Sequence, residues 1–80
     1  MVRALQKRDI DRVAEIWLEC NQKAHAFIPA AYWMQNFDMV KAVLPQAEVY
    51  VYEHEHRIQG FAGLRGDYIE GLFVASECQS

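Results

Sequence analysis

Residues 48–74, EVYVYEHEHRIQGFAGLRGDYIEGLFV, decide the fold class of this chain. Positions 49–52 alternate valine with tyrosine, a pattern that predicts a β-strand. The four polar residues 53–56 form a predicted hairpin tip, and residues 57–64 return as the partner strand. A third apolar run, Tyr68–Val74, follows a second turn. The stretch therefore predicts an antiparallel meander of three strands.

Two helices precede the meander. Apolar residues at positions 10, 13, 14, 17, 20 and 24 predict an amphipathic helix over residues 9–25, with Asp9 as its N-cap. Pro29 fits the start of a second helix and Pro45 its end; between them the apolar face contains Trp33, Phe37, Val40 and Leu44. A short apolar run at residues 2–5 can form a first strand. The predicted fold is α+β with the order β-α-α-β-β-β: a mainly antiparallel four-stranded sheet, with two helices between strands one and two.

Composition excludes several function classes. With a net charge of −3 and no clustered basic residues, the sequence favours neither nucleic acid nor an anionic membrane as a partner. No apolar run reaches signal-peptide or transmembrane length, so we predict a cytoplasmic protein. Cys20 and Cys78 lack the neighbouring cysteines of a zinc site or a redox motif, and neither has a histidine pattern that marks a nucleophile.

The order of elements, with Tyr68–Val74 as the fourth strand, resembles the first half of the GNAT-superfamily N-acetyltransferase fold. The likeness is closest to its YjaB-like bacterial members. It rests on the segments IWLE (16–19), HAFIPAAYW (25–33), LPQAEVYVY (44–52) and IQGF (58–61). All 80 residues take part, yet they correspond to only half of such a domain. The resemblance implies that residues 1–80 form one N-terminal half, which ends before the pyrophosphate-binding loop.

The same resemblance implies a cofactor and a reaction. In the GNAT fold the pantetheine arm of acetyl-CoA pairs with the backbone of the fourth strand, which here is Leu72, Phe73 and Val74. Gln79 and Ser80 match the first two positions of the pyrophosphate loop, whose glycines and helix do not follow. The implied reaction moves an acetyl group from acetyl-CoA to a primary amine by direct attack. Without the loop, we expect acetyl-CoA binding to be weak or absent.

Several side chains are candidates for a role in this reaction. Glu70 is the carboxylate of the fourth strand and is the candidate general base; the alternative is a solvent-facing glutamate. His25 and Tyr32 lie where GNAT proteins border the acceptor site, so they are candidates for substrate binding, with packing as the alternative. Packing is the favoured interpretation for Phe27 and Trp33.

The histidines of the hairpin tip do not predict a metal site. His54 and His56 alternate with glutamates, but no further cluster of ligands accompanies them, and a solvated tip is favoured.

A second function class fits the same sequence. Tyr68–Val74 is apolar and last in the predicted sheet, and an open edge of that kind pairs readily with another strand. The alternative to an enzyme is therefore a non-catalytic fragment that self-associates, as a homodimer, or pairs with another chain through this edge.

Overall fold

The α+β fold class and the four-stranded antiparallel sheet are confirmed, and the predicted order holds except that the second helix is divided in two. A computed structural model describes residues 1–65 and 68–75, including the side chains of 1–64 and 71–75. Its elements are, in order, β1 (Val2–Ala4), α1 (Ile10–Ala24), α2 (Ala30–Gln35), α3 (Phe37–Val43), β2 (Glu48–His54), β3 (Arg57–Arg65) and β4 (Tyr68–Val74). Single 3-10 turns lie at Lys7–Asp9 and Leu44–Gln46.

The four strands form one antiparallel sheet in the order β1-β2-β3-β4. Glu55 and His56 join β2 to β3, and both have positive φ values, 53° and 65°. Two left-handed residues in a row are the geometry of a type I′ turn, whose twist matches that of the flanking strands. Neither residue is glycine, so this turn is formed at a local conformational cost.

Side chains of the strands alternate between two faces, and one face holds the core. Val49 and Val51 of β2 are buried on this face, and Phe61 of β3 is paired with Val51. The amphipathic α1 covers the face with its own apolar stripe, because burying that stripe removes it from water. The buried cluster consists of Val13, Ala14, Ile16, Leu44, Val49, Val51, Ile58, Phe61 and Ala75.

The predicted second helix is divided in two at Asn36. The Asn36 N–H bonds to the Trp33 carbonyl oxygen at 3.1 Å, and its side-chain amide donates to the Tyr32 carbonyl oxygen at 2.8 Å. Asparagine competes for backbone hydrogen bonds in this way, so it interrupts the helix without abolishing it. The apolar face survives the break, since Phe37 and Val40 of α3 pack against the core cluster.

Asp9 occupies the predicted capping position of α1 but does not cap it. Its carboxylate accepts the backbone N–H of Gln6 at 2.8 Å and two hydrogen bonds from the Arg3 guanidinium, at 2.6 and 3.1 Å. Arg3 also donates to Glu53 at 2.6 Å, so Glu53 is not the solvated tip residue that the sequence predicted. The guanidinium of Arg3 lowers the pKa of both carboxyl groups. This network joins β1, the first turn and the end of β2.

We expect Asp9→Asn to destabilise the fold by about 2 kcal/mol, the usual worth of hydrogen bonds to a charged group. Asp9 is only 4% exposed, and its folded pKa lies below the ordinary 3.8. Its contribution is therefore complete above pH 3.8 and lost as the pH falls through the lower folded pKa. Urea unfolding between pH 3 and 7 should show a flatter acid limb for the variant. Asp38→Asn, at an exposed carboxylate of α3, should run parallel to the parent protein.

Candidate active site at the edge of strand β4

Strand β4 lies at the edge of the sheet, with β3 on one side. The Ala75 N–H bonds to the Gln59 carbonyl oxygen at 2.8 Å, which fixes the phase of the ladder. In an antiparallel pair every second residue directs its backbone groups to the partner strand. Residues 71, 73 and 75 therefore face β3, while Leu72 and Val74 direct their N–H and C=O groups toward the open edge.

A cleft of about 540 Å³ separates this edge from the C-terminal half of α1. Its walls are formed by five residues at the end of the helix and three of the strand: Cys20, Asn21, Lys23, Ala24, His25, Leu72, Phe73 and Val74. The volume falls within the range of small-molecule sites. The cleft thus places outward-facing backbone groups opposite the polar end of a helix.

Cys20 connects the two walls of the cleft. Its thiol donates to the Val74 carbonyl oxygen across 3.1 Å. Burial raises the pKa of the thiol above its ordinary value of 9.0, which outweighs the lowering by this hydrogen bond. The reactive form of cysteine is the thiolate, so Cys20 is protonated and unreactive at neutral pH.

An aromatic cluster borders the cleft where α1 meets α2. The His25 ring stacks on Trp33 at 5.5 Å between centroids, and Trp17 meets Trp33 edge-on at 6.0 Å. Tyr32 also stands edge-on to Trp33, at 4.9 Å, with half of its surface exposed. The buried Nε1 of Trp33 has no hydrogen-bond partner within the described part of the chain. Phe27 is 84% exposed, so the packing interpretation of this residue was wrong.

Comparison with known proteins agrees with this geometry. The chain is 32% identical, over 77 residues, to the peptidyl-lysine N-acetyltransferase YiaC of Escherichia coli K12, and the match covers 94% of this chain and 53% of that protein. The solution structure of apo YjaB from Escherichia coli superposes with a TM-score of 0.82 at 26% identity, covering 96% of this chain and 53% of YjaB. No family model matches the chain.

The chain is thus similar, over nearly its whole length, to about half of each of these acetyltransferases, which is consistent with the N-terminal part of a GNAT domain. The fold is shared more widely: a ribosomal-protein-alanine N-acetyltransferase from Brucella melitensis superposes with a TM-score of 0.61 at 16% identity, and the chain covers 57% of it. At that identity the likeness concerns the fold alone. The chain spans about half the length of the curated relative and of the solved structures it matches.

The GNAT cleft brings together some of the residues predicted from the sequence. Leu72, Phe73 and Val74 form its strand wall, and His25 lies at its helical end. Tyr32 is outside the lining and reaches the cleft only through the stacked Trp33 and His25 rings.

Three other positions named from the sequence cannot be placed in this site. The backbone of Glu70 belongs to β4, but its side chain is outside the described part of the chain. Gln79 and Cys78 also lie outside the described residues. The proposed roles of Glu70 and Gln79 therefore stay predictions.

The described residues provide neither a metal site nor a membrane-spanning helix. They contain no group of three or more histidine, cysteine, aspartate or glutamate side chains arranged to hold a metal ion. Among the described helices, none combines the length and the apolar character needed to cross a bilayer.

The contact between Cys20 and β4 was not predicted from the sequence. The spacing of apolar residues placed Cys20 on the inner face of α1, and it does pack against the core. Its partner, Val74, is 54 residues away along the chain. Helical periodicity reports which face is buried, but not which strand that face meets.

Proposed function

We propose that this chain supplies the strand and helix walls of an acetyl-CoA-dependent N-acetyltransferase that acetylates a primary amine by direct attack. The observation that carries the proposal is the open edge of β4 facing the cleft at the end of α1. Leu72 directs its N–H and C=O groups there, as an added strand requires, and the Val74 carbonyl oxygen beside them accepts the Cys20 thiol. The extended amide-bearing arm of acetyl-CoA has the same alternation of donors and acceptors.

The chemistry proposed for the cleft needs no covalent acetyl-enzyme. The amine nitrogen attacks the thioester carbonyl carbon, the carbon–sulfur bond breaks, and coenzyme A leaves as the thiol. The acceptor amine must first lose the extra proton of its ammonium form, and we assign Glu70 as the base that accepts this proton. A backbone N–H of β4 directed at the thioester oxygen would stabilise the negative charge that develops on it.

The acceptor approaches, in this proposal, from the aromatic end of the cleft. His25 and the exposed Tyr32 border that end, and an aromatic wall suits an amine on an aliphatic stem. YiaC is a peptidyl-lysine N-acetyltransferase, and a lysine side chain has this form. We therefore propose protein lysine as the acceptor class. We propose the cytoplasm as the site of the reaction.

Calorimetric titration of the chain with acetyl-CoA tests the proposal directly. A lysine-containing peptide is then incubated with the chain and acetyl-CoA and analysed by mass spectrometry. Since the missing loop is expected to weaken acetyl-CoA binding, the proposal predicts saturable heat only at high, up to millimolar, acetyl-CoA, with a mass gain of one acetyl group on the peptide. Absence of heat up to millimolar acetyl-CoA, together with a dimeric mass by light scattering, would contradict it. That result would favour the second candidate function.

If Glu70 is the general base, Glu70→Gln should lower kcat about a hundredfold, a typical loss for one acid–base group. The amide retains the size of the side chain but cannot accept the proton. Steady-state acetylation at several pH values should show that the deficit narrows as the pH rises and the free amine becomes abundant. Glu15→Gln, at an exposed carboxylate of α1, is the matched control and should retain the parental rate.

Cys20→Ser distinguishes direct attack from an acetyl-cysteine pathway. Serine can donate to the Val74 carbonyl oxygen as the thiol does, so we expect the folded cleft and kcat to be preserved within about threefold. A loss of several orders of magnitude would show that the thiol itself carries the acetyl group. Rapid-quench mass spectrometry of the parent protein should likewise detect no acetylated Cys20.

The second candidate is association through the sheet. Leu72 is 72% exposed at the edge strand, and Val2 and Tyr52 are exposed on the same, helix-free face of the sheet, at 69% and 41%. Exposed apolar edges of this kind favour pairing between chains. Leu72→Lys should keep such a protein monomeric in sedimentation experiments, because a charge on the edge opposes strand pairing.

A further inference from the structure

A second groove, of about 480 Å³, lies at the N-terminal end of α1, whereas the aromatic cluster lies at the C-terminal end of that helix. It is formed where the start of α1 meets the β2–β3 turn, and no residue of the β4 cleft lines it. Its lining is mostly charged and consists of Arg3, Arg8, Asp9, Arg12, Glu53, His56, Arg57 and Ile58. Four guanidinium groups face two carboxylates here, a formal charge of +2 with His56 neutral, in a chain whose net charge is −3.

The two carboxylates of the groove are already engaged. Arg3 binds both of them, at 2.6 Å to Asp9 and 2.6 Å to Glu53. Arg3 is the main cause of the lowered pKa of each carboxyl group, and Arg8 contributes further to both. Arg8 is therefore close to the network while its own side chain remains exposed.

The other guanidinium groups surround the same space. Arg12 reaches across from α1 and donates to the Ile58 carbonyl oxygen at 3.4 Å, which brings the helix against the start of β3. Arg57, next to Ile58, is exposed, and so is His56 in the turn. Glu55 and His56 both have positive φ. The turn that they form sets the backbone from which the His56 and Arg57 side chains project. The groove is thus lined by three further guanidinium groups besides Arg3, whose own charge is paired with Asp9 and Glu53.

We propose that this groove binds the phosphate group of a phosphorylated small molecule. Guanidinium groups match phosphate oxygens with paired hydrogen bonds, and several of them around one space favour an anion with two or more charges. The volume suits a small molecule rather than a single ion. The inference rests on residues that do not line the cleft beside β4, so binding of phosphate in the groove can be measured apart from acetyl transfer.

Two sources can supply that phosphate. Ile58 precedes Gln59, whose carbonyl oxygen accepts the Ala75 N–H at the end of β4, so the groove and the end of the β4 edge lie at the same end of the sheet. A phosphate of acetyl-CoA bound along β4 is one source, and a separate phosphorylated metabolite is the other. The chemistry required of the ligand is the same in both cases.

Titration of the whole chain with inorganic pyrophosphate, followed by two-dimensional NMR at constant ionic strength, tests the proposal. Saturable shifts should centre on the backbone signals of Arg8, Arg12 and Arg57. The double variant Arg8→Gln/Arg57→Gln should weaken this binding at least about tenfold, since it removes two charge-assisted contacts. Lys7→Gln is the matched control, because Lys7 lies in the same 3-10 turn as Arg8 but lines a different cavity. The affinity of this variant for pyrophosphate should stay within about twofold of the parent.

The remaining outcomes decide between support and rejection. Shifts that do not saturate, or that persist unchanged in the double variant, would overturn the proposal. If coenzyme A displaces pyrophosphate from the groove signals, the site is supported and the phosphate belongs to the cofactor. If coenzyme A leaves those signals unchanged while pyrophosphate still saturates them, the site is supported for a separate phosphorylated ligand.

Discussion

Gly60→Ala is expected to loosen β4 from the sheet and to lower the free energy of unfolding by about 3 kcal/mol, the upper range for overpacking a filled site. A Cβ at this position would lie 2.7 Å from the backbone oxygen of Phe73 and 3.5 Å from Cα of Val74. Both contacts are backbone atoms of the strand that forms one wall of the cleft. A rotamer change cannot relieve them, so β4 itself must shift.

Gly63→Ala, on the same strand, is the matched control with the opposite expected sign. A Cβ there meets no atom within 4 Å. Alanine restricts the unfolded chain more than glycine does, so this change should stabilise the protein by about 0.5 kcal/mol. Hydrogen exchange should show early loss of protection in β4 for Gly60→Ala and unchanged protection for Gly63→Ala. Similar exchange in both variants would mean that β4 is not held by close approach at Gly60.

Ile16→Ala should cost about 3 to 4 kcal/mol, as large-to-small changes at closed core positions do. Ile16 has no exposed surface and is among the largest fully buried side chains of the described residues. At about 0.05 to 0.15 kcal/mol per residue, a chain of 80 residues has about 4 to 12 kcal/mol of stability in all. The substitution therefore removes a large part of the total.

Urea unfolding followed by the fluorescence of Trp17 and Trp33 measures this loss. Ile16→Val should lose only about 1 kcal/mol, because one methylene is removed rather than three carbons. Val43→Ala is the surface control: Val43 is 53% exposed at the end of α3, and its truncation should change the midpoint little. Equal losses at positions 16 and 43 would contradict the placement of the core beneath α1.

Local patterns in the sequence predicted most of the elements, but they missed a break within the second predicted helix. The spacing of apolar residues located α1, since each turn of a helix carries its own signal. The alternation of valine and tyrosine at positions 49–52 located β2, because successive side chains of a strand point to opposite faces of the sheet. The break at Asn36 depends on one side chain competing for a backbone oxygen, which the spacing of Phe37 and Val40 conceals.

The site was predictable to the extent that it lies on regular elements. The cleft is lined by Leu72, Phe73 and Val74, which lie on the strand that the GNAT resemblance indicated. The Arg3 network joins residues 50 positions apart along the chain, and no periodicity encodes a pair at that separation. The polar run at 53–56 predicted a turn correctly, but composition could not tell that Glu53 folds back onto Arg3.

The position of β1 has a consequence for protein synthesis. In the described sheet β1 pairs with β2, so Val2 and Arg3 can pair with Tyr52 and Val51 only after β2 has been synthesised. At about 5 to 20 residues per second, a ribosome needs some seconds to supply the missing strand. α1 can form in that interval, and the Arg3–Asp9 ion pair, six residues apart, can hold β1 close to the start of this helix. The edge of β1 is therefore paired only once β2 has been synthesised, and the nascent protein must keep β1 from other partners until then.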